Sequence, residues 1–394
     1  MSIIRPMRND DLLDYKRLCS ICYTYTDTAQ PETLPEELLR IRMGAFDESG
    51  RLLSAMMQIP YEVRFAGETV RLVGIGGVVT DPTARGQRCV RKLFEEGLPR
   101  LHREGYVFSA LYPFSHQFYR KFGFEWAEFR REAELPRTSL RTDLQQAEEI
   151  IRVLPDEEDM GMRDVYEAYI TDKYLSVIRT EQMWQDLRKG TPWESLKHAY
   201  VLKADGRTVG YWIGMIHKEN GHRTLHIKDM AWTCRRGLEG IFSMLCGMNE
   251  IDTVHMRTYG DFDPRMLVKE PSDVSWKGCC EGMVRVVNVE RALALIPAPP
   301  LPGMLTVSVT DEQIPDNNGY FAVNCDGYSL SVERSQRTDY DLSCDIQGLA
   351  ALVAGRQSFD TAVSDGVAKM TNERRRRFAA MLFGKHDLHM NHDF

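Results

Sequence analysis

The chain has 394 residues, 43% hydrophobic and 10% aromatic, with a formal net charge of −7. That is enough apolar material for roughly two to four packed domains and too much for a disordered chain. The acidic balance argues against a primary role on nucleic acid or on an anionic membrane. No apolar run approaches the roughly 18 residues of a membrane span, and the opening "MSIIRPMRND" lacks an apolar signal core, so a soluble cytoplasmic protein is expected.

Residues 1–140 alternate between helix and strand signals. In "DDLLDYKRLCSICYTY", Leu12, Leu13, Tyr15, Leu18 and Cys19 cluster at helical spacing. Cys19 and Cys22 form a C-x-x-C with no second pair to complete a zinc ribbon, and the cysteines are otherwise scattered. The pair reads as two small apolar residues one turn apart. "RLLSAMMQIPYEVRFAGETVRLVGIGGVVT" reads as strands broken at Pro60 and at the Ala66-Gly67 turn. In "DPTARGQRCVRKLFEEGLPRLHREG", Val90, Leu93, Phe94, Leu98 and Leu101 predict a helix closed by Gly105 and kinked at Pro99. A short strand, "YVFSALY", leads into "YPFSHQFYRKFGF", a helical turn that stops at Gly123.

Residues 141–285 start afresh and contain a weak repeat. "IGGVVTDPTARGQRCVRKLF" is echoed by "IKDMAWTCRRGLEGIFSML", with Arg85-Gly86 answered by Arg236-Gly237. The repeat predicts a duplicated fold. Only the first copy is followed by anything like "FYRKFGF", so the second reads as a scaffold without the chemistry. Residues 286–394 form a third unit with the linker "IPAPPLPGM" near its start. Alternating segments with turns at Asn317-Asn318-Gly319 and Asp326-Gly327 predict hairpins. "DIQGLAALVAG" and "NERRRRFAAMLFG" predict amphipathic helices, making a small α+β domain.

Two stretches carry chemistry. In "VVTDPTARGQR" an apolar strand ends in a turn and an Arg-Gly pair opens a helix. Unpaired N–H groups at a helix start, with the helix dipole, suit a pyrophosphate. Gly86 allows close approach, and Arg85 and Arg88 add charge. Neither a Walker loop nor a Rossmann glycine fingerprint is present. In the second stretch, Tyr119 stands among phenylalanines suited to a core.

The order strand, Arg-Gly turn, helix, strand, short helix with "FYRKFGF" resembles the GNAT acetyltransferases. The loop Thr83–Cys89 is a variant, because Arg88 or Cys89 stands where that family has a second small residue. "ALYPFSHQFYRKFGF" is similar to the matching stretch of the enhanced intracellular survival (Eis) family within it. That resemblance implies two tandem GNAT-like mixed-sheet α/β domains, 1–140 catalytic and 141–285 degenerate. A sterol-carrier-protein-like α+β domain follows at 286–394.

The resemblance further implies an acetyl-CoA-dependent N-acetyltransferase. Acetyl-CoA, as co-substrate, would contact Val78, Val79, Thr80, Arg85, Gly86, Gln87, Arg88, Cys89 and Val90, together with Phe114 and Ser115. A backbone N–H in Gly77-Val78-Val79 would hold the oxyanion. Tyr119 would be the general acid, its phenol lowered by Arg120 and Lys121. The terminal carboxylate of Phe394 would be the general base, and Asp27 and Asp393 would bind the acceptor amine. The acceptor would be a cationic small molecule of aminoglycoside or polyamine type, or a lysine side chain. A homohexamer is implied; no nucleic acid, membrane insertion or metal is expected. His386, His389 and His392 fall at steps of three but read as satisfied or exposed side chains rather than ligands. The alternative reading is a non-enzymatic lipid- or ligand-binding protein acting through its C-terminal domain.

Overall fold

A computed structural model describes residues 2–23, 33–189, 196–260, 262–386 and 388–392. The chain opens with β1 (Ile3–Pro6), α1 (Leu12–Tyr23), α2 (Glu36–Arg40), β2 (Arg42–Phe46), β3 (Leu52–Phe65) and β4 (Glu68–Thr80). Then come α3 (Cys89–Arg103), β5 (Phe108–Leu111), α4 (His116–Arg120) and β6 (Glu125–Trp126). The next stretch contains β7 (Phe129–Pro136), β8 (Glu149–Val153), α5 (Met162–Ile170), β9 (Tyr174–Val177) and α6 (Glu181–Lys189). It continues with β10 (Lys197–Ala204), β11 (Arg207–Glu219), β12 (His222–Trp232), α7 (Arg235–Gly247), β13 (Thr253–Thr258) and β14 (Ser275–Cys280). The last comprises β15 (Met283–Val286), α8 (Val289–Ala294), β16 (Gly303–Thr310), β17 (Gly319–Cys325) and β18 (Leu330–Ser335). It ends with β19 (Leu342–Asp345), α9 (Ile346–Val353), α10 (Phe359–Ser364), β20 (Lys369–Met370) and α11 (Arg376–Leu382).

These elements form two compact units. One joins the chain up to Glu128 with Glu281–His386; the other is Phe129–Cys280 with residues 388–390. In the first unit, one sheet has the order β1-β2-β3-β4-β5-β15-β6, antiparallel except between β4 and β5. Strand β15 therefore sits between β5 and β6, although the sequence places it far from both. The helix α3 lays Leu93, Phe94, Leu98 and Leu101 on this sheet, all buried. It runs on through Pro99 to Arg103, and Gly105 beyond its end takes φ +80°. Ala66 and Gly67 both have positive φ, which closes the β3–β4 hairpin.

Pro60 does not break β3, contrary to the sequence expectation; it pairs with Val73 inside the strand. The last β2–β3 pair is Arg42↔Met57, so a missing N–H at Pro60 removes no bond to β2. The same unit holds a five-stranded sheet, β18-β17-β16-β19-β20, with the expected hairpin connections at residues 311–318 and 326–329. Leu305, Val307 and Val309 alternate inward on β16, and α9 and α11 pack on that strand.

The second unit is built on the order β14-β7-β13-β12-β11-β10-β8, with β12 and β13 its parallel pair. A parallel pair with a helix following its first strand thus occurs in both large sheets. Its interior includes a buried ion pair, Arg179 to Asp229 at 2.7 Å, with Tyr211 Oη donating to the same carboxylate at 2.6 Å. Among the described residues no helix is long and apolar enough to cross a membrane.

Candidate active site

The first large sheet opens where β4 and β5 part. These strands pair only from Leu72↔Phe108 to Gly74↔Ala110, yet β4 runs on to Thr80. On its other side the register against β3 jumps, from Met57↔Gly76 to Ala55↔Val79, leaving Gly77 and Val78 as a bulge. Gly77 has φ +55°, and a Cβ there would run into the Tyr15 hydroxyl. The tip is braced from α1 and β3. Tyr23 Oη donates to Val78 O at 3.1 Å, and the buried Ser54 Oγ donates to Val79 O at 2.7 Å.

The turn after β4 is held by Asp81. Its carboxylate accepts from the Thr83 N–H at 2.8 Å, the Thr83 hydroxyl at 2.6 Å and Arg51 at 2.6 Å. Those bonds hold its pKa down to about 2. Ala84 and Cys89 are buried anchors, while Arg85, Gly86, Gln87 and Arg88 between them are exposed. Gly86 and Arg88 both take left-handed backbone, φ +84° and +61°. A Cβ on Gly86 would meet nothing within 4 Å, so the glycine faces open space. No side chain caps the start of α3, so its first N–H groups remain available to a ligand. Cys89 can offer such a ligand only its backbone, because its side chain is in the core; Val90 is partly buried beside it.

Tyr119 lies on α4, a single turn whose N-cap is Ser115. The tyrosine is 3% exposed. Phe118, Phe114, Phe94 and Phe124 surround its ring edge-to-face, at centroid distances of 5.1, 5.4, 6.2 and 6.3 Å. Among the described residues its hydroxyl has no hydrogen-bond partner. Burial, with a smaller contribution from Tyr23, pushes the phenol above its ordinary value of 10. The expectation that Arg120 and Lys121 lower it is therefore incorrect. Arg120 is spent on Glu125, donating to its carboxylate at 2.9 and 2.7 Å.

Val78, Cys89, Val90 and Tyr119 share one hydrophobic cluster, and Phe114 and Ser115 stand at the α4 entrance. Val79 faces the opposite side, toward α1. Asp27, Asp393 and Phe394 lie outside the described residues. His389 is buried, its Nδ1 2.9 Å from Ser176 Oγ, and His392 packs edge-on against Tyr61. No cluster of His, Cys, Asp or Glu able to hold a metal occurs among the described residues.

The corresponding junction in the second unit is closed. Only Thr233 and Cys234 separate β12 from α7. A Cβ on Gly237 would collide with Val209 O and lie 2.8 Å from its carbonyl carbon. Helix and sheet backbones touch where the first unit has an open loop, which leaves no cradle for a phosphate.

The acetyltransferase (GNAT) domain family matches residues 3–127, and a second acetyltransferase (GNAT) domain family matches 175–286. The chain carries two GNAT acetyltransferase domains. A sterol carrier protein domain matches residues 289–390. The GNAT domains make the protein an acyl-CoA-dependent N-acetyltransferase in the broad sense. No curated protein matches the sequence.

Solved structures that share this fold include three that each cover 100% of both chains. A GCN5-related N-acetyltransferase from Anabaena variabilis is 19% identical with a TM-score of 0.89. A probable N-acyltransferase from Enterococcus faecalis is 20% identical at 0.88. Eis1 from Mycobacterium abscessus is 19% identical at 0.83.

Sequence reasoning missed the residues that brace the site from a distance. Tyr23 and Ser54 reach β4 across the fold, and Arg285 reaches Phe122 O across 163 positions. Arg285 lies in an otherwise apolar run, "MVRVV"; a lone arginine there is the signal that could have pointed to a buried partner.

Proposed function

We propose that this protein is an acetyl-CoA-dependent N-acetyltransferase of the Eis type. It transfers acetyl directly, in a ternary complex, to a primary amine of a cationic aminoglycoside- or polyamine-like compound or of a lysine side chain. The observation that carries the reading is the parted end of β4, with the open Arg85–Arg88 loop on one flank and a partnerless, enclosed tyrosine hydroxyl on the other.

The pyrophosphate of the co-substrate lies on the start of α3, near Arg85 and Arg88, and its thioester arm runs along Val78–Thr80. The amine nitrogen attacks the thioester carbonyl carbon, with a backbone N–H of the Gly77–Val79 bulge donating to the oxyanion. The C–S bond breaks, and the amine's proton passes to the α-carboxylate of Phe394, with Asp27 and Asp393 holding the cationic acceptor. An ordinary thiol and an ordinary tyrosine differ by about 1.5 pKa units, about 2 kcal/mol uphill for full transfer. Burial widens that gap, so Tyr119 donates a hydrogen bond as sulfur charge develops and releases its proton only as the thiolate leaves. The enzyme works in the cytoplasm as a homohexamer.

The test is acetyl-CoA titration by calorimetry, followed by turnover on a panel of polyamines, aminoglycosides and lysine peptides. Binding with turnover on at least one amine class supports the proposal. Absence of acetyl-CoA binding overturns it and favours a ligand-binding protein. Extending the chain beyond Phe394 abolishes turnover while leaving acetyl-CoA affinity intact; an active extended enzyme refutes the carboxylate's role.

A further inference from the structure

The helix that carries Tyr119 is one turn long, too short to hold itself. Its start is fixed by Ser115, whose hydroxyl accepts from the Phe118 N–H at 3.3 Å. Its end is fixed from outside the catalytic domain. Gln347, in the first turn of α9, donates through Nε2 to Arg120 O at 2.9 Å. Arg285 on β15 donates through Nη1 to Phe122 O at 2.7 Å. Arg120 O also accepts from the Gly123 N–H at 3.0 Å, so both bonds fall on the turn that ends the helix.

Arg285 is itself held. Its guanidinium is fully buried and pairs with both oxygens of Asp311, at 2.8 and 2.6 Å. Asn317 Nδ2 donates to the same carboxylate at 2.9 Å, and the Gln313 and Ile314 N–H groups also donate to it. Asp311 and Asn317 lie on the connection between β16 and β17, so the C-terminal domain sets the position of the guanidinium. Arg356, just beyond α9, adds a bond to Trp126 O at 3.3 Å on the strand that follows the motif.

We propose that the C-terminal domain is a clamp for the general acid, with Gln347 and Arg285 as positioning residues that set where the Tyr119 hydroxyl points. The inference rests on the role given above to Tyr119. It assigns the sterol-carrier-like domain a part in acetyl transfer that requires no lipid. The clamp acts on orientation alone, because neither residue lies on the loop assigned to the co-substrate.

A double-mutant cycle in the full-length protein tests it. Gln347→Ala lowers kcat about three- to tenfold, the worth of one ordinary hydrogen bond. It leaves acetyl-CoA affinity and melting temperature near those of the parent. Gln347→Lys, which keeps a donor, retains most of the activity. In a Tyr119→Phe background Gln347→Ala has no further effect on kcat, because the group it positions is gone. Arg285→Met is the stronger lesion, read only if the protein folds. An equal loss from Gln347→Ala in both backgrounds overturns the clamp, as does a loss that appears in affinity and not in kcat, or no loss at all. If Tyr119→Phe itself keeps full kcat, the general-acid role fails and the clamp with it. If Tyr119→Phe is impaired and Gln347→Ala is not, only the clamp fails.

Discussion

Gly123, the glycine of "FYRKFGF", is expected to tolerate no side chain, and the structure lets the cost be worked out. Its φ is +82°, and a Cβ there would overlap the Arg285 guanidinium and stand 2.8 Å from Ile346 Cγ2. Left-handed backbone costs an ordinary residue about 1–2 kcal/mol. The collision costs more, because Arg285 can move only by leaving Phe122 O and the Asp311 carboxylate. Breaking a buried ion pair costs about 3–5 kcal/mol. Together Gly123→Ala should lose about 4–7 kcal/mol, a large part of the roughly 5–15 kcal/mol that holds a domain together. Gly86→Ala is the control. Its φ is similar, +84°, but a Cβ there meets nothing within 4 Å, so only the backbone cost of about 1–2 kcal/mol applies. Thermal unfolding followed by circular dichroism should place Gly123→Ala roughly 10 °C or more below the parent, with Gly86→Ala only a few degrees below. Matching melts for the two variants would refute the reasoning, since they would show that Arg285 yields at no cost.

Other outcomes follow from the same geometry. Tyr119→Phe should lower kcat about 10²-fold or more while acetyl-CoA affinity stays within about twofold, read by steady-state kinetics beside calorimetry. Because burial raises the Tyr119 phenol above 10, kcat should show no alkaline fall from this group below pH 10. The buried His389 is pushed down to about 3, mainly by burial, so the unfolded chain binds more protons than the folded one between pH 3 and 6.5. Its contribution to stability should be complete above pH 6.5 and fall with acid through that window, by at most about 1.4 kcal/mol per pH unit; His389→Gln should flatten the slope in urea melts. Asp229→Asn should destabilise by about 3–5 kcal/mol, because it leaves Arg179 buried without its counter-charge.

What could be read from the sequence was what local patterning controls. The α3 stripe, the Ala66-Gly67 and Asp326-Gly327 turns and the α4 stop at Gly123 each depend on neighbours a few residues away. The repeat of Arg85-Gly86 in Arg236-Gly237 depends on comparison, and it located the second domain. Long-range pairing left no such trace. Strand β15 is four residues long and lies between β5 and β6, and nothing in "MVRV" names those partners. Pro60 was misread because propensity describes a residue alone, while its tolerance here depends on where β2 ends. Arg120 was misread because its charge is consumed by Glu125, five positions on but brought opposite only by the turn at Gly123.

The two Arg-Gly junctions show how far a motif alone can be trusted. Both stand after an apolar strand and before an apolar helix, and by pattern each is an anion site. In the first, residues 81–88 lift the glycine away from the sheet and Gly86 meets open space. In the second the connection is so short that α7 is drawn onto β11, and Gly237 is needed because there is no room. One glycine stands in open space; the other permits two backbones to touch. The loop length before the glycine, rather than the glycine, separates the two junctions. Inserting the residues of the first loop between Trp232 and Arg235 should therefore loosen α7 from β11, read as a lower melting temperature in thermal unfolding.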